Sequence, residues 1–170
     1  RELSGSIATE AMMVVHRGLV VDAWGEIDRP LELRSMRKSV LSTLFGPLVE
    51  SGKISLDQTL AELGIDDENP TLNDAEKQAT VADLLTSRSG VFHPANYEGP
   101  YFQETRPERN SHPHGTFWWY NNWDFNGLGT IFEQATGNSI FDEIADRIAT
   151  PTGMQDFEPA RRPAGHTWYA

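Results

Sequence analysis

The first apolar runs of the chain predict a β-hairpin. Residues 11–15 read Ala-Met-Met-Val-Val, residues 19–24 read Leu-Val-Val-Asp-Ala-Trp, and a His-Arg-Gly turn at 16–18 joins them. Short runs rich in β-branched and aromatic residues that flank a tight turn are typical of paired strands. We therefore expect two antiparallel strands here.

The next apolar positions follow a helical period. They are Met36, Val40, Leu41, Leu44, Phe45, Leu48 and Val49. A spacing of three to four residues predicts one helix that begins near Ser35. Gly46-Pro47 should kink or end this helix, because proline cannot donate a hydrogen bond to the carbonyl four residues back.

Two later segments carry helix-capping patterns. Residues 55–58 read Ser-Leu-Asp-Gln, which predicts a short helix through Leu63, and residues 80–83 read Thr-Val-Ala-Asp before a Leu-Leu pair. Residues 91–116 show no period, and so long an irregular stretch inside a domain is usually functional.

Helical spacing returns towards the end of the chain. Apolar residues between 123 and 135 predict a helix that ends at Gly137, and Ser139 begins a last helix that Pro151 should terminate. These amphipathic helices need a sheet to cover, yet the pattern shows only one hairpin, and two strands alone are marginal in water. Further strands must exist, or the chain is part of a larger fold.

Composition narrows the classes of function. A chain of 170 residues with 38% hydrophobic and 23% charged residues has the size and balance of one folded domain. The net charge of −11 argues against nucleic acid or an anionic membrane as a partner. No apolar run approaches the roughly 18 residues of a membrane span. Without cysteine, disulfides and thiolate metal sites are excluded.

Residues 35–38, which read Ser-Met-Arg-Lys, combine a nucleophile with a base. Residues three apart share one helix face, so the Lys38 amine could reach the Ser35 hydroxyl. A serine needs such a base, and a lysine can serve if burial or the positive potential of a helix N-terminus lowers its pKa. Taken alone, the tetrad favours the simpler interpretation, an N-cap serine followed by a solvated lysine.

A second candidate lies at residues 120–122, which read Tyr-Asn-Asn at the junction of the irregular stretch and the next helix. Tyr120 and Asn122 could both point into a site there. The alternative is an aromatic cluster that simply packs, with Asn122 as the N-cap of the helix.

Together these residues resemble the serine β-lactamase and penicillin-binding-protein superfamily, especially its class C β-lactamase-like branch, which includes D-alanyl-D-alanine peptidases and carboxylesterases. Residues 35–38 are similar to its Ser-x-x-Lys motif, residues 84–90 (Leu-Leu-Thr-Ser-Arg-Ser-Gly) to its Leu-Leu-x-x-x-Ser-Gly segment, and residues 120–122 to its Tyr-x-Asn motif. The resemblance implies an α/β (α+β) fold, a three-layer α-β-α arrangement with a central antiparallel sheet. This chain would hold only the N-terminal portion.

The resemblance also implies roles. Ser35 would be the acylated nucleophile, and its backbone N–H would form half of an oxyanion hole, worth about 3 kcal/mol. Lys38 and Tyr120 would act as a coupled base and acid, and the order of their proton transfers stays open. Asn122 would bind Lys38 and the amide of the substrate.

One expected element is missing. The family's Lys/His-Thr/Ser-Gly motif on a strand is not found: residues 166–168 lack its glycine, and the Pro-Thr-Gly at 151–153 belongs to a helix terminus. We therefore expect residues 1–170 to be a partial hydrolase domain, the N-terminal portion of a longer protein.

The resemblance implies a serine hydrolase that forms an acyl-enzyme with a small-molecule ester, lactam or peptide-like substrate. It implies no cofactor and favours a periplasmic or secreted location. The aromatic residues between 91 and 116 would favour an ester or lactam. Two alternatives remain: an inactive relative that only binds ligands, and a metal protein that uses His93, His112 and His114.

Overall fold

The computed structural model describes residues 9–31 and 33–157. The chain divides into two compact units, Arg1–Leu33 and Arg34–Ala170. All four predicted site residues belong to the second unit. Residues 166–168, which were compared with the missing motif, lie outside the described part.

The first unit confirms the predicted hairpin. Strand β1 (Ala11–His16) pairs antiparallel with β2 (Leu19–Gly25). Arg17 and Gly18 connect them with φ angles of 49° and 78°, the left-handed pair that a two-residue hairpin turn requires. Leu19 is 71% exposed, and no third strand joins this sheet among the described residues. Most of the apolar side chains of the hairpin are exposed.

The second unit is helical. A 3-10 turn at Arg34–Met36 leads into α1 (Arg37–Glu50), and a second 3-10 turn lies at Glu76–Gln78. The remaining helices are α2 (Val81–Leu85), α3 (Pro100–Thr105), α4 (Trp123–Thr136), α5 (Ile140–Ile144) and α6 (Thr150–Thr152), with a π-helical turn at Ala145–Ala149 between the last two. None of the helices in the described part is long and apolar enough to cross a membrane.

Packing of α1 on α4 forms the centre of the core. The rings of Phe45 and Phe132 lie 6.0 Å apart, and Leu128 is fully buried. Helix α2 approaches α4 closely at Gly127, where an added Cβ would lie 3.2 Å from Leu84. This arrangement brings the first turn of α1 against the segment that precedes α4.

The predicted helix at 55–63 is wrong. The capping contact exists, because the Ser55 N–H donates to Gln58 Oε1 at 2.9 Å, but turns follow it. The backbone pairs instead with residues 77–81: Leu60 N–H donates to the Ala79 carbonyl, and Val81 N–H to the Gln58 carbonyl. Long-range pairing has replaced the hydrogen bonds within a helix.

Pro47 does not end α1, which was one of the two outcomes predicted for it, and Pro151 does not end the last helix as predicted. Pro47 lies in the last turn of α1, where its ring removes one hydrogen bond while buried Leu44 and Leu48 hold the helix to Glu50. Pro151 is the second residue of α6, which follows the π-helical turn directly, and the helix continues to Thr152. Gly153, with φ 70°, ends that helix.

Other predictions are confirmed. The Thr80–Asp83 capping box begins α2, and Gly137 ends α4 in the left-handed conformation. Residues 91–116 are irregular except for α3, which the sequence pattern did not reveal.

Candidate active site

Lys38 lies in the first turn of α1 and is 4% exposed. Its Nζ donates to Tyr120 Oη at 2.8 Å, to Asn122 Oδ1 at 2.7 Å and to the Asn121 carbonyl at 3.3 Å. An ammonium has three protons, so these contacts use its full donor capacity. Three of the four predicted site residues therefore meet at one amine.

The surroundings of Lys38 disfavour its charged form. Burial lowers the pKa of Lys38 below its ordinary value of 10.5, and the Arg37 guanidinium adds to that effect. Contacts with Tyr120 and the charge of Asp124 partly offset the reduction. The cause predicted from the sequence was burial or a helix N-terminus, and burial is the largest of the causes identified for Lys38.

Ser35 is exposed and lies in the 3-10 turn that precedes α1. It is not the N-cap of α1, because Met36 occupies that position and makes no side-chain capping bond. The three contacts of the Lys38 amine all go to residues 120–122, and none goes to the Ser35 hydroxyl.

Arg34, immediately before Ser35, has a φ of 47°. A positive φ is uncommon for a residue other than glycine and costs about 1–3 kcal/mol, and such strain clusters at functional sites. The backbone conformation therefore marks the turn that carries Ser35.

Two adjacent asparagines divide two tasks. Asn122 occupies the N-cap position of α4 but makes no capping bond, since its Oδ1 accepts from Lys38 and its Nδ2 donates to the Asn96 carbonyl at 3.0 Å. Asn121 supplies the cap, because its Oδ1 accepts from the Asp124 N–H at 2.8 Å. The prediction that Asn122 holds the N-cap position is confirmed, but its side chain contacts Lys38 and Asn96 and does not cap the helix.

Tyr120 is half-buried and packs among aromatic rings. Its ring lies 5.8 Å from Phe102 and 6.5 Å from Phe125. The Lys38 Nζ lies 4.1 Å from the centre of the Tyr120 ring, so the ring and the hydroxyl both face the amine. Aromatic packing and a role in the site are compatible here.

The Ser-Gly pair at 89–90 contacts the same region, and sequence reasoning gave it no role. Ser89 Oγ donates to Asp124 Oδ1 at 2.5 Å, and both side chains are buried. Gly90 has a φ of 72°, and a Cβ there would lie 2.8 Å from the His112 carbonyl oxygen. The sequence did contain a signal for Asp124: it is a charged residue between Trp123 and Phe125 on an otherwise apolar helix face, and such a residue needs a partner when it is buried.

The three histidines of the metal alternative have separate partners. His93 lies between Asp67 and Glu76 at 3.1 Å each, His112 stacks on Phe117 at 4.0 Å, and His114 contacts Asp83 at 2.8 Å. In the described ranges no group of three or more potential ligand side chains could hold a metal ion.

A cavity of about 590 Å³ lies beside Asn96 and Trp123 and reaches the loop at 64–67. Its lining includes none of Ser35, Lys38 and Tyr120. The two carboxylates that line it have internal partners, Lys77 for Asp66 and His93 for Asp67. It is therefore a neighbour of the lysine site and not part of it.

Comparison with solved structures gives the fold. The chain matches a Bacillus anthracis protein provisionally named a 6-aminohexanoate-dimer hydrolase, with a TM-score of 0.67 and 22% identity, over 86% of this chain and 45% of that one. It matches a class C β-lactamase with a TM-score of 0.64 and 23% identity, over 91% and 47%. The predicted β-lactamase/transpeptidase-like fold is confirmed.

Sequence comparison agrees. A D-aminopeptidase of Brucella anthropi is 30% identical over 171 residues, which cover 87% of this chain and 32% of the relative. The chain thus spans about a third of that protein and under half of the two structures. The profile of the β-lactamase family matches residues 3–170. The chain belongs to the β-lactamase family.

Proposed function

We propose that the protein is a serine hydrolase in which Ser35 is the nucleophile and Lys38 and Tyr120 act together as base and acid. The observation that carries this proposal is the buried Lys38 amine, held at 2.8 Å from the Tyr120 hydroxyl and 2.7 Å from Asn122 Oδ1. Burying a lysine is costly, and a lysine poised to lose its proton beside a phenol is the arrangement that activates a serine.

In the first half of the reaction, Ser35 Oγ attacks the carbonyl carbon of the substrate. The proton of Ser35 Oγ passes to Lys38 and Tyr120. The Lys38 amine and the Tyr120 hydroxyl are hydrogen-bonded to each other, so they accept this proton as a coupled pair. The tetrahedral intermediate then expels the alcohol or amine, which takes that proton from Tyr120. The acyl group remains on Ser35 as an ester.

In the second half, water attacks the acyl-enzyme carbonyl. The pair accepts the proton of that water and returns it to Ser35 Oγ as the acid product leaves. Asn122 keeps the lysine in place throughout, because its Nδ2 is anchored on the Asn96 carbonyl and its Oδ1 on the amine.

Ester, lactam and D-amino peptide bonds are the substrate classes that we propose. The aromatic residues Tyr97, in the irregular stretch, and Tyr101, in α3, are both 68% exposed and favour a flat or apolar acyl group. The similarity to a D-aminopeptidase adds the amide of a D-amino acid. We prefer an esterase-like or general hydrolase activity.

A labelling experiment tests the nucleophile. A fluorophosphonate or penicillin probe should add its mass to Ser35 in the full-length protein, and Ser35→Ala should abolish the adduct. Ser39→Ala is the matched control, because Ser39 is also exposed near the start of α1. A folded full-length protein that forms no adduct with either probe would instead be a ligand-binding relative.

A second experiment tests the substrate class. Rates of hydrolysis are compared for a chromogenic cephalosporin, a short-chain nitrophenyl ester and a D-alanine nitroanilide. We expect the ester to react, and turnover of the cephalosporin alone would overturn the preference for a general hydrolase.

A further inference from the structure

Asp124 combines full burial with a carboxylate oxygen that has no hydrogen-bond partner, and among the described residues it is the one carboxylate that does so. Asp124 is the second residue of α4, and its side chain is fully buried. Its Oδ2 makes no hydrogen bond to any described residue. A buried carboxyl with one free oxygen is costly, so its retention calls for a reason.

The contacts of Asp124 connect three parts of the site. Its Oδ1 accepts from Ser89 Oγ at 2.5 Å, and Ser89 Oγ in turn accepts from the Val91 N–H at 3.1 Å. Its backbone N–H donates to Asn121 Oδ1, and the Asn121 carbonyl accepts from the Lys38 amine. A continuous hydrogen-bonded path therefore runs from the Ser-Gly segment to the lysine.

We propose that Asp124 is a positioning residue of the Lys38–Tyr120 pair: it fixes the turn at 120–122 against the Ser89–Gly90 segment and places a carboxyl within electrostatic reach of the lysine amine. This inference rests on the proposed function, in which Lys38 works as the base.

The charge of Asp124 acts on Lys38. An ionised Asp124 favours the protonated lysine, whereas a neutral Asp124 does not. Burial raises the pKa of Asp124 to about 7, the nearby Asp83 adds to that rise, and the side chains of Ser89 and Asn121 oppose it. The carboxyl therefore changes its charge in the neutral range, and the lysine responds to that change.

Other titratable or charged groups surround Lys38 and Asp124, and a substitution of Asp124 leaves them in place. Arg37 lowers the pKa of Lys38 and Tyr120 raises it, and His114 contacts Asp83 at 2.8 Å. Removal of the Asp124 charge alone should therefore lower the pKa of Lys38 further.

The experiment compares the full-length wild type with Asp124→Asn, which keeps the size of the side chain and an acceptor for Ser89. Titration of Lys38 is read directly, from the pH dependence of its acylation by acetic anhydride, quantified by mass spectrometry. We expect the Lys38 midpoint to fall by about half a pH unit or more. The acid limb of kcat/KM should move in the same direction.

Glu133→Gln is the matched control, since it also removes one negative charge from α4 and should leave the Lys38 midpoint where it was. Thermal unfolding of each variant accompanies the titration. A purely structural Asp124 would change the melting temperature and leave the midpoint unmoved, and that result would overturn the inference.

The lysine readout needs no turnover, so the two proposals fail separately. A shifted midpoint in a protein that forms no acyl-enzyme would refute the hydrolase and keep the positioning role. An unmoved midpoint in an active hydrolase would refute only the positioning role.

Discussion

Asn122 Oδ1 lies 2.7 Å from Lys38 Nζ, although Asn122 occupies the N-cap position of α4. The adjacent Asn121 makes the capping bond in its place. Two neighbouring residues of one type therefore serve different purposes, one in the stability of the helix and one in the lysine site.

The first prediction separates these purposes. In the hydrolase that we propose, Asn122→Ala should lower kcat/KM of the full-length protein about 10- to 100-fold, because a hydrogen bond to a charged group is worth about 1.5–3 kcal/mol. Asn121→Ala should instead lower the free energy of unfolding by about 1 kcal/mol, the usual effect of losing a cap. Steady-state kinetics and urea unfolding of both variants check this, and equal effects on activity would contradict the assignment.

Much of the site could be predicted from sequence because its motifs are local. The spacing of Ser35 and Lys38 and the position of Tyr120 before a helix are visible along the chain, as are the strands and turn of the hairpin. Local patterns also predicted the start of α2 and the end of α4.

The remainder depends on contacts between distant residues. Asn121 caps the helix because the amide of Asn122 is bound by Lys38. Lys38 lies 84 positions before Asn122 in the chain. Distant contacts also determine residues 55–63. Their capping pattern predicts a helix, but their backbone pairs with residues 77–81 instead. A local sequence pattern does not indicate which distant residues will contact the segment.

The second prediction concerns Gly90, which has a positive φ and a crowded Cβ position. Gly90→Ala should destabilise the protein and displace Ser89, because the new Cβ would lie 2.8 Å from the His112 carbonyl oxygen. Gly52→Ala is the control: Gly52 has a similar φ of 70°, but nothing lies within 4 Å of its Cβ position. Its expected cost is about 1 kcal/mol from backbone strain alone.

Thermal unfolding measures both glycine variants, and kcat/KM is recorded for each. Gly90→Ala should show the lower melting temperature and the lower activity. Equal melting temperatures would show that the Ser89–Gly90 segment relaxes without cost.

The third prediction concerns Glu76, a buried carboxylate that Arg109 contacts with two nitrogens, at 2.8 and 2.6 Å. Although burial opposes it, the hydrogen bond from Arg109 helps to lower the pKa of Glu76 below its ordinary value of 4.5. Stability from this pair is therefore present above pH 4.5 and lost as the pH falls through the lowered pKa. Arg109→Met should destabilise the protein at pH 7.

The difference in melting temperature between the wild type and Arg109→Met should shrink as the pH falls below 4.5. Arg147→Met is the comparison, because Arg147 is 48% exposed and contacts its buried partner Glu143 through Nε alone. We expect it to cost less at pH 7. A larger loss for Arg147→Met would contradict the importance of the Glu76 pair.

The last prediction tests the buried amine through proton linkage. Burial lowers the pKa of Lys38 in the folded protein, whereas the unfolded chain keeps a value near 10.5. Between those two values the unfolded chain binds more protons, so the contribution of Lys38 to stability rises with pH, by at most about 1.4 kcal/mol per pH unit. Lys38→Met removes this dependence.

The free energy of unfolding of the wild type minus that of Lys38→Met should therefore increase as the pH is raised towards 10.5, as measured by urea unfolding at a series of pH values. Subtraction removes every titration that the two proteins share, including those of the other lysines and of the tyrosines distant from the site. A difference that falls with pH would mean that the folded protein favours the charged amine. Lys38 would then be an ion-pairing residue and could not serve as the base for Ser35.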